Sequence, residues 1–250
     1  MTKRAVIIGA TSGIGLEVAK LLLGEGWHIG AAARRVELLQ ALQQQYPEQV
    51  VTEVIDVNDP QAGEQLLQLV NRLGGMNLYF HASGIGWQNP QLEADKELRT
   101  VETNGLGFTR MVGAAFRYFE REGGGHIAAI TSIAGTKGLG PAPAYSATKA
   151  FQNTYLQALE QQANARKLNI RFTDIRPGFV DTALLAPEKE AQAPAYKYPL
   201  LMKPQAVAQS IVRALHREQH VIVIDWRWRL LTAFWRRIPR WAWRHLKLNK

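Results

Sequence analysis

The chain of 250 residues is long enough for one large α/β domain, and its 46% hydrophobic and 20% charged residues are typical of a globular protein. It has no cysteine, which excludes a disulfide framework and a thiolate metal site, and no metal site is predicted. No apolar run approaches about 20 residues, which excludes a membrane-spanning helix. Eight of the nine net positive charges lie in residues 226–250, so the first 225 residues are nearly neutral.

The first segment predicts a strand, a glycine turn and a helix. Residues 4–9 form an apolar run typical of a buried parallel strand, and the apolar spacing of residues 13–23 indicates a helix that stops at Gly24. Glycines in the turn let the backbone approach a pyrophosphate at the helix N-terminus, whereas a tight turn without a ligand is the alternative. The candidate cofactor residues here are Gly9, Thr11, Ser12, Gly13, Ile14 and Gly15.

The second strand, over residues 27–33, ends in Arg34 and Arg35. A dinucleotide-binding fold places an acid here for the adenosine ribose hydroxyls, or a basic group for a 2′-phosphate. No acid occurs before Glu37, and two guanidiniums suit the doubly charged phosphate of NADP. The pattern therefore favours NADP over NAD, and the alternative is a solvated arginine pair at a helix start.

A helix over residues 36–46 and a third strand over residues 50–55 come next, and Asp56 and Val57 close the strand. The Asp56 carboxylate either accepts a hydrogen bond from an adenine amino group or caps the helix that Pro60 begins. Sequence alone leaves these two interpretations open.

The next helix, over residues 61–73, leads to a fourth strand over residues 77–81. Small residues after this strand leave space for a ribose or a nicotinamide. We interpret His81, the last residue of the strand, as a core histidine and not a catalytic one. The candidate cofactor residues are Ala82, Ser83 and Gly84.

One long helix is predicted over residues 92–119, with an interruption at Asn104. Asparagine is a poor residue inside a helix, so it either bends the helix and exposes a carbonyl for function or is a neutral interruption. A fifth strand over residues 126–132 then ends at Ser132.

Ser132, Tyr145 and Lys149 form the strongest candidate for acid/base chemistry. Tyr145 and Lys149 are four residues apart at the start of a helix predicted over residues 145–165, so their side chains share a face. An ammonium about 4 Å from a phenol is worth ~4 kcal/mol, or roughly three pKa units. We therefore expect Lys149 to bring the pKa of Tyr145 close to neutral pH, with Ser132 holding a carbonyl oxygen beside it.

A sixth strand over residues 169–175 precedes an irregular region, and residues 183–203 are predicted to be a substrate lid. A last helix over residues 204–217 and a seventh strand over residues 220–224 complete the alternation. The candidate cofactor residues after the sixth strand are Pro177, Gly178, Val180 and Thr182.

Alternating strands and helices predict a single doubly wound, Rossmann-type α/β domain over residues 1–225, with a seven-stranded parallel sheet and helices on both faces. The candidate residues all fall at carboxyl ends of strands, where such sheets bind ligands. One cleft can therefore hold all of them.

These motifs together resemble the short-chain dehydrogenase/reductase family over residues 3–224. The residues that carry the resemblance are Gly9–Gly15, Asp56, Ala82–Gly84, Asn104, Ser132, Tyr145–Lys149 and Pro177-Gly178.

The resemblance implies hydride transfer between a nicotinamide and a carbonyl or alcohol carbon. It implies a catalytic tetrad in which Tyr145 exchanges the proton, Lys149 lowers the pKa of Tyr145 and binds the nicotinamide ribose, Ser132 positions the carbonyl, and Asn104 holds a relay water. It also implies a homodimer or homotetramer. His81 departs from the family pattern, which usually has asparagine at that strand end.

The tail, residues 226–250, contains five of the seven tryptophans and no acidic residue. Basic residues recur at steps of three or four together with Thr232, and Pro239 is expected to start a second short helix. Basic residues with tryptophan on an amphipathic helix suit a membrane interface, whereas packing on the domain or on a partner subunit is the alternative. Without a groove-reading motif, no nucleic-acid partner is predicted.

Residues 236–240 also resemble the tail of decaprenylphosphoryl-ribose epimerase reductase subunits, which act on a polyprenyl phosphate lipid.

The sequence thus predicts an NADP(H)-dependent oxidoreductase acting on a small-molecule, apolar or lipid-linked carbonyl or secondary alcohol. The alternative is a nucleotide-binding scaffold or sensor at the membrane without turnover. We expect a cytoplasmic location, at the inner face of the membrane if the tail binds lipid.

Overall fold

The computed structural model describes residues 2–185, 198 and 200–246. Most of the predicted lid, residues 183–203, lies outside these residues. Seven strands form one parallel sheet, as the alternation of elements predicts, and their order in the sheet is β3-β2-β1-β4-β5-β6-β7. The strands are β1 Arg4–Ile8, β2 His28–Ala33, β3 Val50–Val54, β4 Leu78–His81, β5 Gly125–Ile130, β6 Ile170–Arg176 and β7 Val221–Val223.

Helices cover both faces of the sheet, and each face has its own apolar core. Side chains such as Leu66 and Phe119 form the core on one face, and side chains such as Leu22 and Ile211 form the core on the other. The helices are α1 Gly13–Gly24, α2 Val36–Gln45, α3 Ala62–Leu73, α4 Ala94–Val101, α5 Phe108–Arg121, α6 Pro143–Ala165, α7 Pro204–His216, α8 Trp226–Trp235 and α9 Arg240–Trp243.

Two local features differ from the predicted elements. The interruption of the long helix is one segment of π-helix, Glu102–Gly107, between α4 and α5. The fifth strand ends at Ile130 and not at Ser132, because Ser132 starts a 3-10 turn over Ile133–Thr136 and its Oγ accepts a hydrogen bond from the Ala134 N–H at 3.0 Å. Both features alter the backbone beside the candidate acid/base residues.

The tail packs on the domain through one side of α8. Trp228 is 3% exposed, and its ring meets the Phe179 ring edge-on with centroids 5.8 Å apart. Thr232, which the sequence pattern places on a polar stripe, is buried and donates to the Trp228 carbonyl at 2.8 Å. Packing on the domain was the alternative to a membrane role, and for this side of the helix it is correct.

Candidate active site

Tyr145 and Lys149 lie in the first two turns of α6. Pro143 is the first residue of the helix, and the Glu97 carboxylate accepts a hydrogen bond from the Ala144 N–H at 3.0 Å, which satisfies a free donor of the first turn. The Lys149 Nζ is 5.7 Å from the centroid of the Tyr145 ring. The start of α6 therefore brings the two side chains to one face, as the four-residue spacing predicts.

Ser132 reaches Tyr145 from the turn that follows β5. The Tyr145 phenol forms a side-chain hydrogen bond with Ser132, which is itself buried. Tyr145 also lies against the loop after β4, because a Cβ added at Gly86 would overlap the tyrosine ring. The backbone of this loop can come so close only because residue 86 is glycine.

Burial, and not the nearby ammonium, controls the ionisation of the pair. Burial raises the pKa of Tyr145 above its ordinary value, and the hydrogen bond with Ser132 opposes this rise. Burial also lowers the pKa of Lys149 to about 7, against the charge of Asp174. The expectation that Lys149 brings the pKa of Tyr145 close to neutrality is wrong for this structure, because it counted the charge and left out the loss of water.

Asn104 lies in the π-helix and is fully buried. Its Oδ1 accepts from the Ile85 N–H at 2.9 Å, and its Nδ2 donates to the Ile85 carbonyl at 2.6 Å and to the Thr148 Oγ1 at 3.2 Å. The side chain thus ties the loop after β4 to α6. Its main-chain carbonyl accepts from the Gln152 Nε2 at 2.9 Å.

The turn after β1 forms a tight cradle at the N-terminus of α1. Gly9 has a φ of +90°, and a Cβ there would lie 3.0 Å from the backbone of Ala82 and Ser83. A Cβ at Gly15 would overlap the Gly9 carbonyl oxygen. Only glycine fits at these positions, so the backbone N–H groups at the helix start are open to an anion. Thr11, Ser12, Gly13 and Ile14 occupy the turn between them.

Arg35 crosses from the end of β2 to this turn. Its Nη2 donates to the Ser12 Oγ at 2.7 Å and to the Thr11 Oγ1 at 3.1 Å. Arg34 is exposed next to it. The Arg35 guanidinium therefore stands at the edge of the cradle, where the sequence predicts a phosphate-binding group, and Arg34 precedes it at the end of β2.

Asp56 closes a local turn after β3. Its Oδ1 accepts from the Asn58 N–H at 3.0 Å, so it does not cap α3, and the Asp59 Oδ1 accepts from the Gln61 N–H at 2.8 Å near the start of that helix. Val57 is buried, and its carbonyl accepts from the Arg110 Nη1 at 2.6 Å. The capping alternative for Asp56 is excluded in this geometry.

The loop after β4 lies between the cradle and the acid/base residues. The Ala82 N–H donates to the Ile8 carbonyl at 2.8 Å, which keeps the loop start on β1, and Ser83 follows next to Gly9. A Cβ at Gly84 would lie 3.2 Å from the Asn104 Oδ1 and 3.5 Å from the Lys149 Nζ. Gly84 therefore lets the loop backbone approach the Asn104 amide and the buried Lys149 ammonium.

The segment after β6 joins the site to the tail. The Pro177 carbonyl accepts from the Ile133 N–H at 3.1 Å, and a Cβ at Gly178 would overlap the Trp228 indole. Val180 forms an isolated bridge with Met202. A Cβ at Gly13 would lie 3.2 Å from the Thr182 side chain, so the end of this segment touches the cradle.

Two buried residues of the site, Gln152 and Asp174, were missed by sequence reasoning. Gln152 accepts from the Lys149 Nζ at 2.9 Å, and Asp174 accepts from Thr131 at 2.5 Å and from Arg176 at 2.5 Å. Gln152 is three residues after Lys149, a spacing that puts both on one face of a helix. A polar residue at that spacing was the available signal.

His81 is a core residue, as predicted. It is 1% exposed, its Nδ1 shares a hydrogen bond with the Tyr79 hydroxyl at 2.8 Å, and burial lowers its pKa to about 3, with a further lowering from the charge of Lys149. The ring is therefore neutral at physiological pH.

Residues 2–185, 198 and 200–246 contain no group of three or more histidine, aspartate or glutamate side chains placed to hold a metal ion. No helix in this part of the chain combines the length and the hydropathy that crossing a bilayer requires.

Comparisons with known proteins agree with this geometry. The profile of the short chain dehydrogenase family matches residues 3–193. Glycine betaine reductase ATRR of Emericella nidulans is 33% identical over 229 residues, which are 88% of this chain but only 18% of that protein. An uncharacterized oxidoreductase of Staphylococcus aureus is 32% identical over 225 residues, covering 88% of this chain and 94% of that protein.

Solved structures show the same fold. A short-chain type dehydrogenase/reductase from Mycobacterium marinum has a TM-score of 0.79 at 26% identity, covering 89% of this chain and 94% of the other. Serine dehydrogenase in its closed form with NADP+ has a TM-score of 0.80 at 22% identity, over 88% and 94% of the two chains. A variant of actinorhodin polyketide ketoreductase with NADPH has a TM-score of 0.78 at 24% identity, over 89% and 95%. The profile match, the relatives and the shared fold show that the chain belongs to the short chain dehydrogenase family of oxidoreductases.

Proposed function

We propose that the protein is an NADP(H)-dependent oxidoreductase that transfers a hydride between a nicotinamide and a carbonyl or secondary alcohol carbon, with Tyr145 as general acid/base. The observation that carries the proposal is the buried contact of Tyr145 with Ser132, one helical turn from Lys149. Asn104 closes the same site from the π-helix. These residues stand beside the glycine cradle, so proton transfer and cofactor share one cleft.

The residues of the cradle fit NADP. A pyrophosphate suits the helix start that Gly9 and Gly15 leave open, and Arg34 and Arg35 suit a 2′-phosphate at its edge. The neighbours of the same fold that were solved with NADPH or NADP+ support this choice over NAD. The nicotinamide end would lie towards Gly84 and Lys149, where small residues leave room.

The chain's own residues handle the proton and the oxygen, and bound NADPH supplies the hydride. Burial keeps Tyr145 protonated at neutral pH because it raises the pKa, so the phenol is ready to donate to a carbonyl oxygen. Ser132 holds that oxygen through its hydroxyl. Lys149 supplies positive charge below the phenol, which stabilises the phenolate formed on donation. This protonation state suits reduction of a carbonyl, and the reverse direction needs the ionised phenol.

The test of this function is NADPH oxidation with a panel of apolar ketones and keto-sugars. We expect Tyr145→Phe to lower turnover by roughly 10²- to 10⁴-fold with little change in NADPH affinity, because it removes the proton donor and keeps the ring. Tyr155→Phe is the matched control, since Tyr155 stacks on Phe151 further along the same helix. Unchanged turnover in Tyr145→Phe would remove Tyr145 from the mechanism, and NADPH binding without turnover on any substrate would favour the scaffold alternative.

We also propose that residues 226–250 form a tail that docks on an anionic membrane surface, where the enzyme takes an apolar or lipid-linked substrate. Trp226, Leu230 and Phe234 follow one another at four-residue steps along α8 and are 63%, 61% and 68% exposed, on the side opposite the buried Trp228. Trp241 adds a fourth exposed apolar side chain at 69%.

The positive charge of the tail favours an anionic lipid surface as the partner of this exposed face. The described part of the tail carries six arginines, and residues 226–250 contain no acid. Tryptophan with arginine on one helix suits the headgroup region of anionic lipids. Trp235 Nε1 donates to Thr136 Oγ1 at 2.7 Å and Lys137 Nζ donates to the Ile238 carbonyl at 2.7 Å, so the tail is bound to the turn that follows Ser132. Docking there brings the membrane near the cleft.

Vesicle flotation tests the membrane surface. The full chain is expected to float with vesicles of phosphatidylglycerol and phosphatidylcholine but not with phosphatidylcholine alone, and the double change Trp226→Ser with Phe234→Ser should abolish flotation without unfolding. The control is Leu92→Ser, which removes a 61% exposed apolar side chain outside the tail. If the double variant floats like the parent, or if it changes only self-association, lipid is not the occupant of this face.

A homodimer or homotetramer remains part of the proposal. The outer sides of α4, the π-helix and α6 expose Leu98, Val101, Leu106 and Phe151, which are 44% to 68% exposed. Exposed apolar side chains on neighbouring elements favour contact with a second copy. Sedimentation of the full chain gives the number of subunits, and a monomer at all concentrations would exclude this part.

A further inference from the structure

Gln152 is a fully buried amide between the two catalytic elements of the proposed enzyme. Its Oε1 accepts from the Lys149 Nζ at 2.9 Å, and its Nε2 donates to the main-chain carbonyl of Asn104 at 2.9 Å. A buried amide without partners is costly, and here both ends are satisfied by residues of the site. Gln152, itself on α6, therefore ties this helix directly to the π-helix with one end of its amide and meets the Lys149 ammonium with the other.

Hydrogen bonds determine the direction of the Lys149 ammonium. An ammonium has three N–H donors, of which one meets Gln152 and another meets the Ile130 carbonyl at 3.0 Å. One N–H then remains for the side that faces Tyr145 and Gly84. Without the Gln152 oxygen, the buried ammonium would lose the partner of one of its three donors.

We propose that Gln152 is a positioning residue of the reaction: its amide links the Asn104 carbonyl to the Lys149 ammonium, holds that ammonium under Tyr145 and stabilises its charged form. The proposal deepens the proposed function and rests on it for its kinetic part. The family resemblance implies a relay water on Asn104, whereas in this chain the Asn104 carbonyl carries the Gln152 amide. The link in this chain is thus a side chain that mutation can change.

Three ionisable groups lie near this ammonium. Tyr145 lies on the same helix, His81 ends β4, and Asp174 on β6 pairs with Arg176. His81 is neutral, and the charge of Asp174, which raises the pKa of Lys149, is shared with Arg176 and is the same in the parent and in both Gln152 variants. A neutral amide oxygen stabilises an ammonium without adding charge to the cleft.

The test compares Gln152→Met with Gln152→Glu. Methionine keeps the volume and removes both hydrogen bonds, whereas glutamate keeps an acceptor and adds negative charge. We expect the pKa of Lys149 to fall by about one unit or more in Gln152→Met and to rise by a similar amount in Gln152→Glu. The pKa is followed by the ¹³Cε signal of labelled lysine, identified by its loss in Lys149→Arg, in the protein without cofactor or substrate.

The kinetic part uses the pH profile of NADPH-dependent reduction. The alkaline limb, where Lys149 loses its proton, should move to lower pH in Gln152→Met and to higher pH in Gln152→Glu. Gln157→Met is the matched control, because Gln157 is exposed on the same helix. Equal Lys149 pKa values in both Gln152 variants and the parent would show that Gln152 only fills space. Because the NMR measurement needs no turnover, it tests the role of Gln152 even if no substrate is found.

Discussion

The two arginines at the end of β2 have different surroundings and so different expected roles. Arg35 is held by hydrogen bonds to Thr11 and Ser12, which makes it part of the turn itself. Arg34 is exposed at the same strand end, where the adenosine ribose of a dinucleotide lies in this type of fold. We expect Arg35 to shape the cradle and Arg34 to select between a ribose hydroxyl and a 2′-phosphate.

Arg34→Glu should raise the KM for NADPH at least about tenfold more than the KM for NADH, because a carboxylate repels the 2′-phosphate and accepts from the free ribose hydroxyls. Steady-state kinetics with both cofactors at saturating substrate measure the two constants. Arg213→Glu, an exposed arginine on α7, is the charge-matched control. Equal changes in both KM values would mean that Arg34 does not contact the phosphate.

The spacing of Tyr145, Lys149 and Ser132 predicts that their side chains come together, as they do in the structure, but it does not predict their pKa values. Helical periodicity determines which side chains share a face, and that information is local. The pKa of a buried group depends on how much water the whole fold removes, which no local pattern contains. Gln152 was missed for the same reason, since a glutamine becomes informative only once its face of the helix is known to be buried.

Helix α8 and the segment after β6 are one packed unit. The Trp228 indole lies against the backbone of Gly178, where any side chain would overlap it, and the Phe179 ring covers its edge. The first turn of α8 is held by Asp225, whose side chain accepts from the Arg227 N–H at 2.9 Å. Removing the indole would leave a cavity beside the predicted cofactor segment.

Trp228→Ala is therefore expected to lower the free energy of unfolding by about 3–5 kcal/mol, through lost burial and the cavity left behind. Trp226→Ala, the same change two residues earlier at a 63% exposed position, should alter it by no more than about 0.5 kcal/mol. Urea unfolding followed by far-UV circular dichroism measures both. A parent-like transition in Trp228→Ala would show that the tail does not unfold together with the domain.

The elements themselves were predictable where periodicity is strong, and less so where a different hydrogen-bond pattern occurs. The sequence correctly indicates an interruption near Asn104, but not that it is a π-helix, because the change from one hydrogen-bond register to another leaves little trace in residue types. The tail is likewise only partly predictable from the sequence. Its amphipathic pattern is visible, but the burial of Thr232 depends on which face meets the domain.

The sheet gathers the site because all its strands run the same way. Every adjacent pair is parallel, so the turns after β1, β2, β4, β5 and β6 open at one edge. Alternation of strands and helices predicts this architecture from the sequence, since parallel strands need helical crossovers. The same burial that supports the two cores places neutral histidines inside the molecule, with consequences for its stability.

Acid should destabilise the whole molecule through His81. Its pKa is about 3 in the folded protein, whereas an unfolded histidine has a pKa near 6.5. The unfolded chain therefore binds more protons between these values, so the stabilisation is complete above about pH 6.5 and is lost as the pH falls towards 3. We expect a decrease of about 2 kcal/mol in the free energy of unfolding between pH 7 and pH 5 from this residue alone. Urea unfolding at the two pH values measures it.

The variant His81→Asn separates the loss of stability caused by protonation of His81 from the loss caused by other groups that titrate in acid. Asparagine carries no titratable group, so the variant should lose less stability than the parent between pH 7 and pH 5, even if it is less stable at both. His126, whose pKa burial lowers to about 4, contributes in the same direction and remains in the variant. His216→Asn changes an exposed histidine paired with Glu25 and serves as the control. Equal pH dependence of stability in His81→Asn and the parent would contradict the burial of a neutral His81. A histidine leaves the pH dependence of stability unchanged only if its pKa is the same in the folded and the unfolded protein.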